Sequence, residues 1–147
     1  MSLLRSYMRR IHKFLNLSSG ERRLLIKTWI LLGVIRLGLE LVPFSTLRKL
    51  LFKLTFLFRG LGKDFSEEYL VWSVAVVSPY IPKITCLAQA LTAQLLLQHA
   101  GHQARLHIGV NYGIGGRLEA HAWVESQGRI LIGGFDLNKY THLLALE

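Results

Sequence analysis

The sequence predicts an α+β fold, with helices first and a small antiparallel sheet last. Helical patterns fill the chain up to about residue 100, and clean alternation of apolar and polar residues appears only after residue 104. A run of helices followed by an antiparallel meander is typical of α+β proteins. At 147 residues the chain is about one domain, large enough to bury a core without disulfides or metals.

Five helices are predicted, and most have a capping residue at the start and a proline or glycine at the end. Their expected ranges are 3–15, from about 19 to 41, 44–58, 66–77 and 86–100. Ser18 or Ser19 can cap the second helix, Ser45 the third, Ser66 the fourth and Thr85 the fifth. Pro43 ends the second helix and Gly101 the fifth.

The sheet is predicted from two alternating segments and a hairpin. In 105–110, Leu106, Ile108 and Val110 share one face. In 118–125 the residues expected to face inward are Leu118, Ala120, Ala122 and Val124. His121 and Trp123 then lie on the opposite face. The turn at 126–128 leads into a return strand over 129–132.

Basic residues are concentrated in the first part of the chain. Residues 1–63 hold 13 of the 18 Lys and Arg but only two acidic residues, whereas 64–147 hold five basic and seven acidic residues. This asymmetry indicates either a surface for an anionic partner or a solvated basic face. We therefore expect a basic, apolar helical part over 1–64 and a core over 65–147, within one compact unit.

The sequence excludes several common classes of protein. Charges interrupt every long apolar run, so neither a signal peptide nor a membrane span is expected, and membrane contact would be peripheral at most. One cysteine rules out an internal disulfide framework and indicates a reducing compartment, so we expect a cytoplasmic protein. Metal-ligand spacings, a phosphate-binding loop and an aromatic-rich basic surface are missing, so no cofactor, metal or nucleic acid is expected.

Cys86 is the first candidate for chemistry. It lies in the first turn of the predicted fifth helix. The unpaired N–H groups and dipole of a helix N-terminus favour an anion such as a thiolate, which is the nucleophilic form of cysteine. The alternative is that Cys86 is a small buried hydrophobic residue, as free cysteines most often are.

His121 is the candidate general base. A thiol nucleophile needs an imidazole within hydrogen-bond reach and a third group that fixes the imidazole tautomer. A strand would hold His121 rigidly on the face away from the aliphatic residues. His107, also on a strand and off its aliphatic face, is a competitor. A structural histidine bonded to a backbone carbonyl is the alternative role for His121.

Two carboxylates could orient that imidazole. Asp136 follows the return strand and could come alongside His121, although its glycine-rich surroundings equally favour a turn-forming aspartate. Glu119 precedes His121 by two residues on the same strand face. The residue pattern leaves this choice open.

The order of these residues, Cys at a helix start, His on a strand and Asp near the next strand, is that of transglutaminase-like and papain-like folds. The segments CLAQALTAQLLLQHAGHQARLHIGV and EAHAWVESQGRILIGG resemble, more specifically, the stand-alone short form of the leader peptidase of lasso-peptide biosynthesis. The resemblance covers about residues 80–140 and extends less specifically into the preceding helices.

The resemblance implies a Cys–His–Asp peptidase that cuts the leader from a ribosomally made precursor peptide. It assigns Cys86 as nucleophile and His121 as base. Many members of that family carry an Asp twelve residues after the His; here that position is Gly133, so the acid is assigned to Asp136, three residues later.

The resemblance also implies partners. The short form works with a separate leader-recognition protein, for which the basic, apolar N-terminal helices would be a binding surface. The freed amine passes to a macrolactam cyclase, and ATP serves that cyclase. The alternatives are an acyltransferase or transglutaminase with the same triad, and a non-enzymatic basic adaptor for a membrane or an acidic peptide.

Overall fold

A computed structural model describes residues 1–134 and 137–147 and confirms the α+β fold. Its described part holds five α-helices followed by four strands. The helices are α1 (Ser2–Leu15), α2 (Ser19–Leu41), α3 (Phe44–Lys53), α4 (Glu67–Val77) and α5 (Cys86–His99). The strands are β1 (Arg105–Tyr112), β2 (Leu118–Ser126), β3 (Arg129–Ile132) and β4 (Thr141–Leu146). They form one antiparallel sheet in the order β3-β2-β1-β4.

Three of the helix starts follow the predicted capping chemistry. The prediction for α3 was wrong: the helix already begins at Phe44, so Pro43 occupies the cap position without a side-chain hydrogen bond and Ser45 lies inside the helix. The Ser18 side chain accepts a hydrogen bond from the backbone N–H of Glu21, whose carboxylate accepts one from the Ser18 N–H in return. Ser66 and Thr85 cap α4 and α5 in the same way, each accepting from the N–H three residues later. Thr85 therefore fixes Cys86 as the first residue of α5.

The third helix is shorter than predicted. It ends at Lys53 rather than at residue 58, and a 3₁₀ turn covers Thr55–Phe58. The turn is closed by a bond from the Leu57 N–H to the Leu54 carbonyl, the tighter i→i+3 pattern common at helix ends. Apolar spacing alone does not distinguish this turn from another turn of α-helix.

The last strand, β4, was not predicted from the sequence, in which no element was expected after the return strand. β4 pairs with β1 and puts His142 opposite Gly109. Its apolar residues 143–146 run consecutively, and most of the strand is exposed. Period-two alternation is a signal of half-burial, so an exposed edge strand need not carry it.

The core lies between the helices and one face of the sheet. α2, α4 and α5 pack against one another, and α5 packs on β2. Ala122 and Val124 join this core as predicted, but Leu118 and Ala120 are exposed. Tyr112, which pairs with Leu118, is also exposed, so this end of the β1–β2 hairpin projects beyond the helices. The core contains residues from both sides of the predicted boundary at 64, and that boundary stays a prediction.

Helix α1 exposes an apolar stripe to solvent. The stripe consists of Leu3, Leu4, Tyr7, Met8, Ile11 and Leu15, each more than half exposed. Their spacing of three and four residues puts them on one side of the helix. Arg5, Arg9, Arg10 and Lys13 lie between them in the sequence. Within the described residues, no helix combines the length and apolar character needed to cross a bilayer.

Candidate active site

Cys86 lies where the sequence predicted it, at the N-terminus of α5. Its side chain is half-buried and packs against the edge of the core. This location fits a nucleophile served by the helix N-terminus, and the core contact also fits the small hydrophobic residue given as the alternative. The first turn of α5 contains no acidic residue that would oppose an anion there.

The loop before Cys86 is held by an arginine whose role was not foreseen. Arg36 Nε donates a hydrogen bond of 2.5 Å to the carbonyl oxygen of Lys83, and Arg36 Nη2 forms a 2.6 Å ion pair with Glu40. Lys83 has a φ of 53°, which is uncommon for a residue with a side chain. Arg36 thus ties α2 to a strained loop residue three positions before the cysteine. The sequence signal that could have identified Arg36 is its charge within an otherwise apolar stretch of α2.

His121 is buried, and its ring is held by the backbone. The Nε2–H group donates a hydrogen bond of 2.7 Å to the carbonyl oxygen of Gly133. A carbonyl can only accept, so this bond requires a proton on Nε2, and in the neutral tautomer the lone pair is then on Nδ1. The Nδ1 lone pair of that tautomer is the basic position. A carbonyl partner is also what the structural role for His121 would require.

Aromatic rings surround His121 on its face of the sheet. The Tyr140 ring centroid lies 5.1 Å from that of His121, and the Trp123 centroid lies 6.2 Å from it. Gly109 pairs with His121 across β1 and β2, and a Cβ there would come within 3.0 Å of both Trp123 and Tyr140. The absence of a side chain at Gly109 therefore makes room for the rings that pack around His121.

The competing histidine, His107, belongs to a separate polar chain on the same face. Its Nδ1 lies 2.9 Å from His142 Nε2, and its Nε2 lies 3.2 Å from a carboxylate oxygen of Glu125. The His107 ring stacks on Trp123, with centroids 5.5 Å apart and planes 6° apart. Burial lowers the pKa of His107 below its ordinary value of 6.5, although Glu125 partly opposes the shift. His107 Nδ1 is thus engaged by His142, whereas Nε2 lies within ion-pair distance of Glu125 without a well-aligned hydrogen bond to it.

The predicted acid falls on a position about which the structure says nothing, because Asp136 lies outside the described residues. The other carboxylate considered, Glu119, is exposed at the projecting end of β2 and lies against Gly113. Among the described residues, the hydrogen-bond acceptor that the structure shows at His121 Nε2 is the main-chain oxygen of Gly133. Sequence reasoning noticed Gly133 only as a missing aspartate.

The elements that carry Cys86 and His121 are in contact, since α5 packs on β2. Along β2, Ala122 and Val124 face the core that α5 shares, while alternation turns His121 and Trp123 to the other face. The meeting of the Cys86 sulfur with the imidazole stays a prediction. No group of three His, Cys, Asp or Glu in residues 1–134 and 137–147 is arranged to hold a metal.

Comparisons with known proteins bear on this arrangement. A family model described as the transglutaminase-like superfamily matches residues 59–145, more than half of the chain. The matched segment contains Cys86, His121 and Gly133. Searches of curated proteins and of solved structures found no match.

Proposed function

Because this chain belongs to the transglutaminase-like superfamily, which suggests a cysteine-dependent peptidase or acyltransferase, we propose that it is a cysteine peptidase that removes the leader of a ribosomally made lasso precursor peptide. The observation that carries the proposal is a cysteine at the start of a helix packed on the strand that presents a backbone-oriented histidine. The lasso pathway comes from the resemblance of residues 80–140.

The proposed reaction is acyl transfer through a thioester. Cys86 Sγ attacks the scissile carbonyl carbon at the leader–core junction, while Nδ1 of His121 takes the thiol proton. The tetrahedral intermediate collapses, the C–N bond breaks, and the imidazolium gives its proton to the departing amine of the core peptide. Water, deprotonated by His121, then attacks the thioester and releases the leader as a carboxylic acid, with Cys86 restored as a thiol.

The negative oxygen of each intermediate needs hydrogen-bond donors. The backbone N–H of Cys86 lies in the first turn of α5, where N–H groups have no partner within the helix. It is the proposed oxyanion donor, and loss of one such donor typically costs roughly 100- to 1000-fold in kcat.

The proposed partners follow from the same resemblance. A separate leader-recognition protein presents the precursor, and a macrolactam cyclase consumes the freed amine. The exposed apolar stripe of α1 supports a docking surface for the recognition protein, because more than half the area of each of six large apolar side chains is otherwise left in water.

The test is cleavage of precursor peptide in the presence of the recognition protein, comparing wild type with Cys86→Ala, His121→Ala and the control Gln103→Ala. Gln103 is an exposed residue before β1, outside the proposed docking helix. We expect the first two substitutions to abolish cleavage and the control to leave it intact. Cleavage by Cys86→Ala at the wild-type rate would refute the proposal.

An acyltransferase is the second candidate, since the superfamily match supports it equally. The two reactions share the thioester and differ in what attacks it. Mass analysis of products formed with an added primary amine separates them: a peptidase yields the free leader acid, and an acyltransferase yields the leader amide.

A further inference from the structure

We propose that the backbone carbonyl of Gly133 is the group that positions the imidazole of His121, in the place where the resembled family uses an aspartate. The inference rests on the proposed function, because it assigns a role within the same site. Gly133 acts here through His121 and is a positioning residue.

The first support is the coincidence of sequence position and contact. Gly133 lies twelve residues after His121, the spacing at which the resemblance to the lasso leader peptidases implies an aspartate. The structure puts the Gly133 oxygen 2.7 Å from His121 Nε2. β3 pairs with β2 up to Val124–Ile132, so the chain leaving β3 returns directly alongside His121. Residue 133 has no aspartate side chain, but its main-chain carbonyl is a hydrogen-bond acceptor for His121.

The second support is the conformation of Gly133. Its φ is +78°, in the left-handed region that glycine adopts most easily. A Cβ at this residue would lie 2.6 Å from the Ala122 carbonyl oxygen and 3.0 Å from Trp123 Cβ. An aspartate at 133 could not occupy this backbone conformation without displacing β2. The glycine therefore allows the close approach that brings its carbonyl to the imidazole.

The chemical consequence is a proposed Cys86–His121 pair whose imidazole is oriented by the backbone carbonyl of Gly133. The carbonyl holds the proton on Nε2 and leaves the Nδ1 lone pair to accept the thiol proton, as an orienting carboxylate would. Because this bond keeps a proton on Nε2, we assign to the Gly133 carbonyl the orienting role that was considered for Asp136 and Glu119.

The direct test uses the unmodified protein. Imidazole ¹⁵N chemical shifts of His121, assigned with the His121→Gln variant, report which nitrogen carries the proton. We expect the Nε2–H tautomer at neutral pH. A ring with its proton on Nδ1 and none on Nε2 would overturn the inference whatever the activity.

The kinetic test compares Gly133→Ala with Gly128→Ala. Gly128 has nearly the same φ, +77°, but a Cβ there meets nothing within 4 Å, so it controls for backbone strain. We expect Gly133→Ala to lower kcat at least tenfold with little change in KM and to perturb the Nε2–H signal. We expect Gly128→Ala to do neither. Equal kcat in the two folded variants would contradict the role of Gly133.

The competing carboxylate is tested with Asp136→Asn. We expect leader cleavage to continue in this variant. Loss as complete as that of Cys86→Ala, in a protein that still shows the wild-type circular dichroism spectrum, would give the role to Asp136 and leave the proposed function standing. Continued cleavage by Cys86→Ala would instead remove the proposed function itself.

Discussion

The Glu67 carboxylate accepts a hydrogen bond of 2.7 Å from the hydroxyl of Ser126, which joins the first turn of α4 to the end of β2. Glu67 is only 8% exposed. The other oxygen of Glu67 accepts a hydrogen bond of 3.0 Å from Arg129. His102 Nδ1 lies 3.5 Å from the oxygen that is bonded to Ser126. One carboxylate thus links α4 to both strands of the hairpin that leads to Gly133.

We expect Glu67→Ala to destabilise the protein, because it leaves the buried Ser126 hydroxyl without its acceptor. The expected loss in free energy of unfolding is about 2–3 kcal/mol, in the range for a buried polar group that loses a charged partner. Glu68→Ala is the matched control, since Glu68 is exposed and its ion pair is with the exposed Arg129, at 3.3 Å. Urea denaturation gives both values, and equal losses would show that the Glu67 linkage contributes nothing particular.

Arg36→Met is expected to slow leader cleavage several-fold while the helix α2 stays folded. The substitution keeps the apolar stem but removes the donor that holds the Lys83 carbonyl before Cys86. Lys27→Met, at an exposed position on the same helix, is the control. Both variants are compared by steady-state cleavage of the precursor. A wild-type kcat in Arg36→Met would mean that the loop is positioned without this bond.

Stability is expected to fall as the pH drops below about 6.5, and His107 is expected to contribute to this fall. Burial lowers the His107 pKa in the folded state, so between that value and 6.5 the unfolded chain binds a proton that the folded chain does not. The contribution of His107 is complete above pH 6.5 and is lost on acidification. Urea midpoints between pH 5 and 8 should therefore depend less on pH in His107→Gln than in wild type, whereas a steeper dependence in the variant would reverse the sign argued here.

Ile11→Asp is expected to weaken binding of the leader-recognition protein at least tenfold by placing a charge in the apolar stripe of α1. Ser6→Asp adds the same charge well away from the stripe and should bind within about twofold of wild type. Isothermal titration calorimetry with the purified partner measures both. Binding by Ile11→Asp at wild-type affinity would exclude this surface, and stripe-dependent binding to anionic phosphatidylserine vesicles instead would assign it to a membrane.

The sequence was informative where local chemistry decides the structure. Thr85 predicted the cap that makes Cys86 the first residue of α5, and alternation in β2 correctly separated His121 from Ala122 and Val124. A periodic pattern fails where burial is slight on both faces of a strand, as in β4. Tyr140, which packs on His121, could not be found for that reason.

The orienting group of His121 was beyond sequence reasoning for another reason. Side chains can be read from a sequence, but the direction of a main-chain carbonyl depends on dihedral angles set by tertiary packing. In the sequence, Gly133 shows only that an aspartate is absent at this position. In the structure, its carbonyl oxygen accepts a hydrogen bond from His121 Nε2. The role of Arg36 could not be predicted for the same reason, because its acceptor is the main-chain carbonyl of Lys83, 47 residues away.

The most direct test of the account is the covalent state of Cys86 during turnover. Precursor and recognition protein are mixed with the enzyme, quenched in acid within the first turnover and analysed by peptide mass mapping. The account predicts a leader acyl group in thioester linkage on Cys86, formed in wild type and not in Cys86→Ala. Processing of the precursor with Cys86 unmodified at every time, or undiminished in Cys86→Ala, would contradict it.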